Sequence, residues 1–225
     1  MDLINKIRPL LETETREDVR ILELGCNEGA NLHALHEILP EAEYVGYDIC
    51  DEAIFDGSKK YPELALMQVN VDKLRAWSFT EKPFDHFDYI LMPDILEHLS
   101  DPIGLLKWVY DNLRPGGITV SCIPNLMHVS VMQDILKYGI FVYTDVGLLD
   151  RDHKHFFTKG TIISAFNKAG FDIMNISSKK VRISSSLDAF AERLSELSDG
   201  FLSKEEYTTF EYLVTTEPKE VDENE

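Results

Sequence analysis

Apolar and polar positions alternate along this chain with two periods, and the switches between them mark out its elements. Val19 to Leu24 is a short apolar, β-branched run broken only by Arg20 and Glu23, the pattern of a strand buried inside a parallel sheet. Gly25 and Gly29 then bracket a tight turn, where a missing Cβ permits torsions and close contacts closed to other residues. Ala30 to Leu39 places Leu32, Leu35, Ile38 and Leu39 at helical spacing until Pro40 ends the run. Tyr44 to Tyr47 is a second strand ending in Asp48. Upstream, Leu3, Ile4, Ile7, Leu10 and Leu11 predict a helix over 2–12, linked to the first strand by the polar segment Glu12 to Asp18. Downstream, DEAIFDGSKKYP reads as a weaker helix limited by Gly57 and Pro62, and Leu64 to Val69 as a third strand running into Asn70-Val71-Asp72. Phe84 to Met92 predicts the fourth strand. Asp101 and Pro102 then read as an N-cap and first helical residue for a helix through Leu105, Leu106, Val109 and Leu113. A Pro115-Gly116-Gly117 turn leads to a fifth strand, Ile118 to Ile123.

Beyond Pro124 the rhythm changes. Met127 to Tyr138 is apolar on one face, and Gly139 to Leu149 (GIFVYTDVGLL) is a glycine-marked apolar connection of the length that lids and binding loops have. Thr158 to Ala169 resumes a helix closed by Gly170, and Phe171 to Ser177 is a sixth strand. The cluster Ser184 to Ser186 precedes a helix over Leu187 to Leu197, and Thr209 to Thr216 is a seventh strand that closes the sheet. Strands alternating with helices at this pace imply an α/β fold with a parallel sheet and right-handed crossovers. We read residues 1–217 as one domain with a lid over the acceptor site at about 124–157, and 218–225 as an acidic tail.

Composition narrows the function classes. The chain of 225 residues is 44% hydrophobic and 28% charged, as ordinary globular proteins are. Its formal net charge of −18 argues against nucleic-acid partners, whose affinity comes largely from lysines and arginines neutralising phosphates. No run approaches the ~18 apolar residues of a membrane span, and MDLINKIRPLLETETRED lacks the apolar core of a signal peptide. Three cysteines, Cys26, Cys50 and Cys122, fall at unrelated spacings, which indicates neither a disulfide framework nor a zinc site and points to a reducing cytoplasm.

The chemistry begins at the glycine turn. It reads E-x-G-x-N-x-G over Glu23, Gly25, Asn27 and Gly29, unlike the G-x-G-x-x-G that holds a pyrophosphate on a helix N-terminus. An acid at the strand end suits an ammonium group better than a phosphate. Asp48, about 20 residues past the turn, stands where such folds bind ribose hydroxyls. The stretch therefore indicates a nucleotide-like ligand. It resembles the first motif of the class I S-adenosylmethionine (SAM)-dependent methyltransferases, with Asn27 replacing the middle glycine. FDYILMPDILEHLSDP followed by LRPGG resembles later motifs of the same class, and the segment from Pro124 through Asn125, Tyr143, Asp145, Gly147, Asp150, Arg151, His153, Phe156 and Phe157 resembles a bacterial small-molecule subgroup.

That resemblance implies a three-layer, Rossmann-like α/β/α fold, a seven-stranded mostly parallel sheet with an antiparallel last strand, and SAM as methyl donor with S-adenosylhomocysteine as product. It places Glu23, Gly25, Cys26, Asn27, Gly29, Asp48, Ile49, Asn70, Val71, Pro93 and Asp94 at the donor site, with Asp72 an alternative to Asn70 for the adenine amino group. The implied acceptor is a small molecule, with a hydroxyl on a sugar or polysaccharide precursor favoured over N- or C-methylation, and the implied assembly is a monomer or homodimer. His153 and His155 are the candidate catalytic bases; two residues apart, they share a face of an extended segment opposite Asp152 and Lys154, or they bond only to loop backbone. His98 reads as a structural residue at a helix start, and Asp145, Asp150 and Asp152 as solvated loop acids, so no metal is expected. The other reading is a SAM-binding or regulatory protein without catalysis, which Asn27 and Asn70 favour.

Overall fold

The computed structural model describes residues 2–76 and 86–219. Among these, seven strands form one sheet: β1 (Arg20–Leu24), β2 (Glu43–Asp48), β3 (Ala65–Gln68), β4 (Phe87–Pro93), β5 (Leu113–Pro124), β6 (Phe171–Lys180) and β7 (Thr209–Pro218). The helices are α1 (Asp2–Glu12), α2 (Ala30–His36), α3 (Asp51–Lys60), α4 (Pro102–Asn112), α5 (Val129–Tyr138), α6 (Lys159–Lys168), α7 (Ser185–Leu197) and α8 (Lys204–Thr208). The strand order is β3-β2-β1-β4-β5-β7-β6. β1 to β5 pair in parallel, and β7 runs antiparallel to both β5 and β6. The expected α/β sheet with an antiparallel last strand is the one observed.

β7 does not close the sheet at its edge, however. It lies between β5 and β6, and the reason is in its side chains: Tyr212 and Val214 enter one core and Leu213 the other, so both of its faces are buried. β6 buries only Phe171 fully and carries Asp172, Asn175, Lys179 and Lys180, a polar edge that resists further pairing.

Alternation along β1 builds the layers. Leu22 and Leu24 point into a core with Leu105, Leu106 and Val109 of α4 and Ile162 and Phe166 of α6. Ile21 points the other way, against Ile7 and Leu11 of α1 and Leu32 and Leu35 of α2. Each such fully buried aliphatic contributes roughly 1.5–3 kcal/mol relative to exposure. A third cluster lies beyond the sheet's edge, where Val129, Val131 and Met132 of α5 meet Ala191 and Leu194 of α7, Tyr207 of α8, and Leu148 and Leu149. Those two leucines anchor the end of the long connection, whose middle leaves Ile140, Phe141, Val142, Tyr143 and Val146 exposed.

Several boundaries shift for local reasons. Gly57 lies inside α3 instead of limiting it, because a Cβ there would come 2.4 Å from the Glu28 carbonyl oxygen, so the glycine lets the helix rest on the turn. α2 stops at His36, and the chain continues as turns in which Ile38 and Leu39 donate to the Leu35 carbonyl. Pro115 to Gly117 form the irregular start of β5, with a register shift against β4, instead of a separate turn. α8, five residues long, is too short to carry a readable period. The expected N-cap is present, Asp101 Oδ1 accepting from the Gly104 amide at 2.8 Å. β7 takes in Pro218, one residue past the expected domain end, while Phe84 and residues 220–225 of the tail lie outside the described residues. No described helix is long and apolar enough to cross a membrane.

One buried acid fastens the linker after α1 to the sheet. Asp88 of β4 is fully buried and accepts from Arg16 Nη1 at 2.7 Å, the Arg20 amide at 2.8 Å and Arg114 Nη1 at 3.2 Å. Removing the carboxylate would take one partner each from Arg16, which keeps Glu14, and Arg114, which keeps the Asp18 carbonyl, and would take the Arg20 amide's acceptor. Asp88→Ala is therefore expected to lower unfolding free energy by about 2 kcal/mol, the scale of hydrogen bonds to a charged group, read from urea denaturation, and a loss within experimental error would contradict this role.

Candidate active site

Open parallel sheets bind ligands where the strand order reverses, outside the strands' carboxyl ends. Here that point lies between β1 and β4, which lead to opposite halves of the sheet. Gly25 follows β1 with φ +76, and a Cβ on it would stand 3.1 Å from Ile95 Cδ1, beyond β4. Its amide donates to the Tyr47 carbonyl at 2.7 Å. Asn27 adopts φ 49, in the left-handed region that asparagine enters more readily than most residues, so the departure from glycine leaves the turn intact. Gly29 has φ +83 and donates to the Cys26 carbonyl at 2.8 Å.

Asp48 clasps the two loops. Its Oδ2 accepts from the Asn27 amide at 2.8 Å and its Oδ1 from the Cys50 amide at 2.9 Å. Each carboxylate oxygen has a second lone pair, so two acceptor positions remain for ligand hydroxyls.

Around this point is a cleft of about 250 Å³ lined by Gly25, Asp48, Ile49, Asn70, Val71, Asp72, Ile95, His98, Leu99 and Lys154. Gly25, Asp48, Ile49, Asn70 and Val71 are thus brought together as expected. Cys26, Asn27 and Gly29 stand behind it and shape the turn, and Pro93 ends β4 without reaching the lining. Asn70 Oδ1 accepts from the Asp72 amide at 3.1 Å. Asp72 is occupied by Ser100, through its amide at 2.8 Å and Oγ at 2.7 Å, and by Lys154 Nζ at 3.3 Å. Asn70, whose Oδ1 keeps a second lone pair, is the better placed of the two to accept from a ligand amine.

Glu23 is fully buried. Oε1 accepts from Asn31 Nδ2 at 2.7 Å, while Oε2 finds no protein partner. Burial pushes its pKa up to about 8, against the Asn31 hydrogen bond and with the Asp48 charge adding to the rise. Asp94 takes φ 47 just past β4. Its side chain meets solvent, yet the protein packed around the carboxyl and the charge of Glu211, opposed by Lys179, push its pKa up to about 6.

The segment after Asp150 is not extended. Asp150 Oδ1 accepts from the Asp152 amide and its carbonyl from the His153 amide, a turn that breaks the expected alternation. His153 and His155 consequently do not share a face. His153 packs edge-on against His98, ring centroids 4.8 Å apart, while His155 lines a separate cavity with Ser100, Ile103, Thr161 and Lys168. Lys154, expected on the opposite face, lines the cleft itself. The amides of Lys154 and His155 both donate to the Glu97 carbonyl, at 2.8 and 3.0 Å, which fastens this loop to the turn after β4.

The result is a cluster of Glu97, His98 and His153 whose ligand-type atoms lie within 4.8 Å of one another. Burial, with the charges of Asp94 and Glu211 and against the nearby dipole of its own backbone amide, pushes the Glu97 pKa up to about 8. Burial and then His98 hold His153 below the usual histidine value, so it is neutral near pH 7. Sequence reasoning passed over Glu97 and Lys154 and read His98 as structural. The available signal was an acid inside the apolar run Ile95-Leu96-Glu97-His98-Leu99.

Comparison with known proteins agrees with this geometry, for the model of the family described as "Methyltransferase domain" matches residues 2–176. The chain belongs to that family. This methyltransferase domain is 31% identical over 104 residues to the trans-aconitate 2-methyltransferase of Azoarcus sp. (strain BH72), covering 46% of this chain and 38% of the relative. It is 27% identical over 171 residues to a ubiquinone biosynthesis O-methyltransferase of Parvibaculum lavamentivorans, covering 71% of this chain and 61% of the relative. The chain thus spans less than two thirds of the length of these curated relatives. Among solved structures, it resembles an S-adenosylmethionine-dependent methyltransferase from Mesorhizobium loti (TM-score 0.58, 20% identity, 95% and 99% of the two chains). It also resembles PKMT2 from Rickettsia typhi in complex with AdoHcy (TM-score 0.62, 14% identity, 98% and 53%). The Rossmann-like class I methyltransferase fold follows from the family and these neighbours, of which one is named for its dependence on SAM and another holds AdoHcy.

Two outcomes are expected for the cleft. Asp48→Ala should weaken SAM binding at least about tenfold, the scale of losing hydrogen bonds to a charged group; calorimetric titration matching wild type would remove Asp48 from the site. If the SAM ammonium group meets Glu23, binding should draw a proton off that carboxyl, because a neighbouring cation lowers its pKa. Affinity should then rise from pH 6 towards the free-state value of about 8, and the calorimetric heat at pH 7 should vary with buffer ionisation enthalpy. Heats independent of buffer would exclude the proton release.

Proposed function

We propose that this protein transfers the methyl group of SAM to a hydroxyl of a small-molecule acceptor, a ring-bearing metabolite such as a sugar or polysaccharide precursor. The observation that carries the reading is the meeting of the donor cleft with the neutral imidazole of His153 through their shared neighbour His98. Curated relatives named as ubiquinone biosynthesis O-methyltransferases support oxygen as the acceptor atom.

In the proposed reaction the acceptor oxygen attacks the sulfonium methyl in line. The new C–O bond forms as the C–S bond breaks, S-adenosylhomocysteine leaves, and the hydroxyl proton is taken up on the acceptor side. The protein's main contribution is to hold the two reactants collinear and out of water. Phe141, Tyr143 and Phe156 form an aromatic group in which Phe156 also touches the His153 ring, centroids 6.1 Å apart. These rings suit the apolar face of a sugar or a flat ring, and we assign to residues 124–157 the part of a lid over it. His153 is the acceptor-side residue of this proposal; His155 opens on a different cavity.

The non-catalytic reading loses its main support, since Asn27 does the conformational work of a glycine and Asn70 Oδ1 keeps a lone pair beyond the one that takes the Asp72 amide. The test is transfer of labelled methyl from SAM to pools of hydroxyl, amine and carbon acceptors. Hydroxyl products are expected, and transfer confined to nitrogen or carbon acceptors would overturn the assignment. With the acceptor identified, His153→Ala should lower kcat by about 10²-fold or more with SAM affinity unchanged, whereas full turnover would remove His153 from the chemistry.

A further inference from the structure

Glu97 poses a problem that the methyl-transfer reading leaves unsolved. It is 1% exposed, and neither Oε1 nor Oε2 has a hydrogen-bond partner. Ionising a buried carboxyl group that has no partners is costly, and protonating it would still leave its oxygens unmet. The side chains that share its space are His98 and His153.

Both imidazoles are oriented from behind. His98 Nδ1 lies 3.2 Å from the Asp152 carbonyl oxygen, and His153 Nδ1 lies 3.3 Å from that of Leu148. A carbonyl can only accept, so each Nδ1 carries a hydrogen and each Nε2 is the nitrogen left for a ligand. Two imidazoles oriented by backbone carbonyls, beside a buried carboxyl group without a partner, make the arrangement by which proteins prepare metal ligands.

We propose that Glu97, His98 and His153 form a binding site for a divalent first-row transition ion, Zn²⁺ or one of its neighbours. Two nitrogens and a carboxylate suit such ions better than Mg²⁺ or Ca²⁺, which take oxygen ligands. The atoms lie within 4.8 Å of one another, whereas ligand atoms each about 2.1 Å from one tetrahedral ion stand about 3.4 Å apart, so binding requires side-chain rotations that draw the three groups together. Three protein ligands leave positions for a small molecule, as in catalytic zinc sites. The site also explains why the Glu97 carbonyl accepts from both Lys154 and His155, since those bonds hold the His153 loop against the carboxylate.

What the ion does depends on the methyl-transfer reading; where it binds does not. Bound beside the donor cleft, it would lower the pKa of an acceptor hydroxyl, and His153 would then serve the reaction through the ion instead of taking the proton itself.

The test uses the full chain, stripped with a chelator, dialysed and titrated with Zn²⁺ by calorimetry and with Co²⁺ by visible absorption. One saturating equivalent is expected, weakened at least about tenfold by Glu97→Gln and by His153→Ala, with SAM affinity and circular dichroism kept. Absence of saturable binding, or binding equally tight in both variants, would overturn the site. X-ray absorption on the Zn²⁺-loaded wild-type protein needs no variant: a nitrogen and oxygen shell with two imidazoles is expected, and a shell containing sulfur or lacking imidazole contradicts it. Zn²⁺ binding without SAM binding would sink the methyl-transfer reading and leave the metal site standing; SAM binding without Zn²⁺ binding would do the reverse.

Discussion

The site depends first on how the Asp48 carboxylate is shared. A strand-end acid that accepts amides from both the glycine turn after β1 and the loop after β2 cannot move without loosening both. The turn is thereby held open at the sheet's switch point, Gly25 can lie against Ile95, and a cleft exists between the two halves of the sheet. Burial on both faces of β1 makes the arrangement rigid, because Leu22 and Ile21 lock the strand to opposite helical layers. A ligand that reaches Asp48 therefore meets a surface organised before it arrives, which lowers the cost of ordering on binding.

A second contact connects the donor side to the acceptor side. The Glu97 carbonyl receives the amides of Lys154 and His155, although the two segments are far apart in sequence. This pair of backbone bonds sets Lys154 against the cleft and His153 against His98. The aromatic group of Phe141, Tyr143 and Phe156 extends from the same place. The cleft and the proposed acceptor side thus converge on the short turn after β4, and a change in that turn should be felt on both sides.

Much of the fold was legible because each strand of the sheet's centre is a two-faced apolar run, and such runs admit few other readings. Part of the cleft's lining was legible because a glycine turn and a strand-end acid are local features. Two kinds of information were not. The position of β7 depends on which of two late strands is apolar on both faces, a comparison across the chain and not within it. The grouping of Glu97, His98 and His153 depends on backbone bonds between distant segments, and the turn at Asp150 defeats the two-residue spacing that seemed to pair His153 with His155. Asn27 looked like a weakness in one dimension and is ordinary in three, since its left-handed torsions are those the turn requires.

The central claim is that the cleft between β1 and β4 is where the methyl donor sits, and a crystal structure of the protein grown with S-adenosylhomocysteine tests it most directly. The account predicts the ribose hydroxyls on Asp48, the adenine beside Asn70 and Val71, and the sulfur directed towards the turn after β4. Nucleoside density elsewhere, or a cleft empty at saturating ligand, would contradict it.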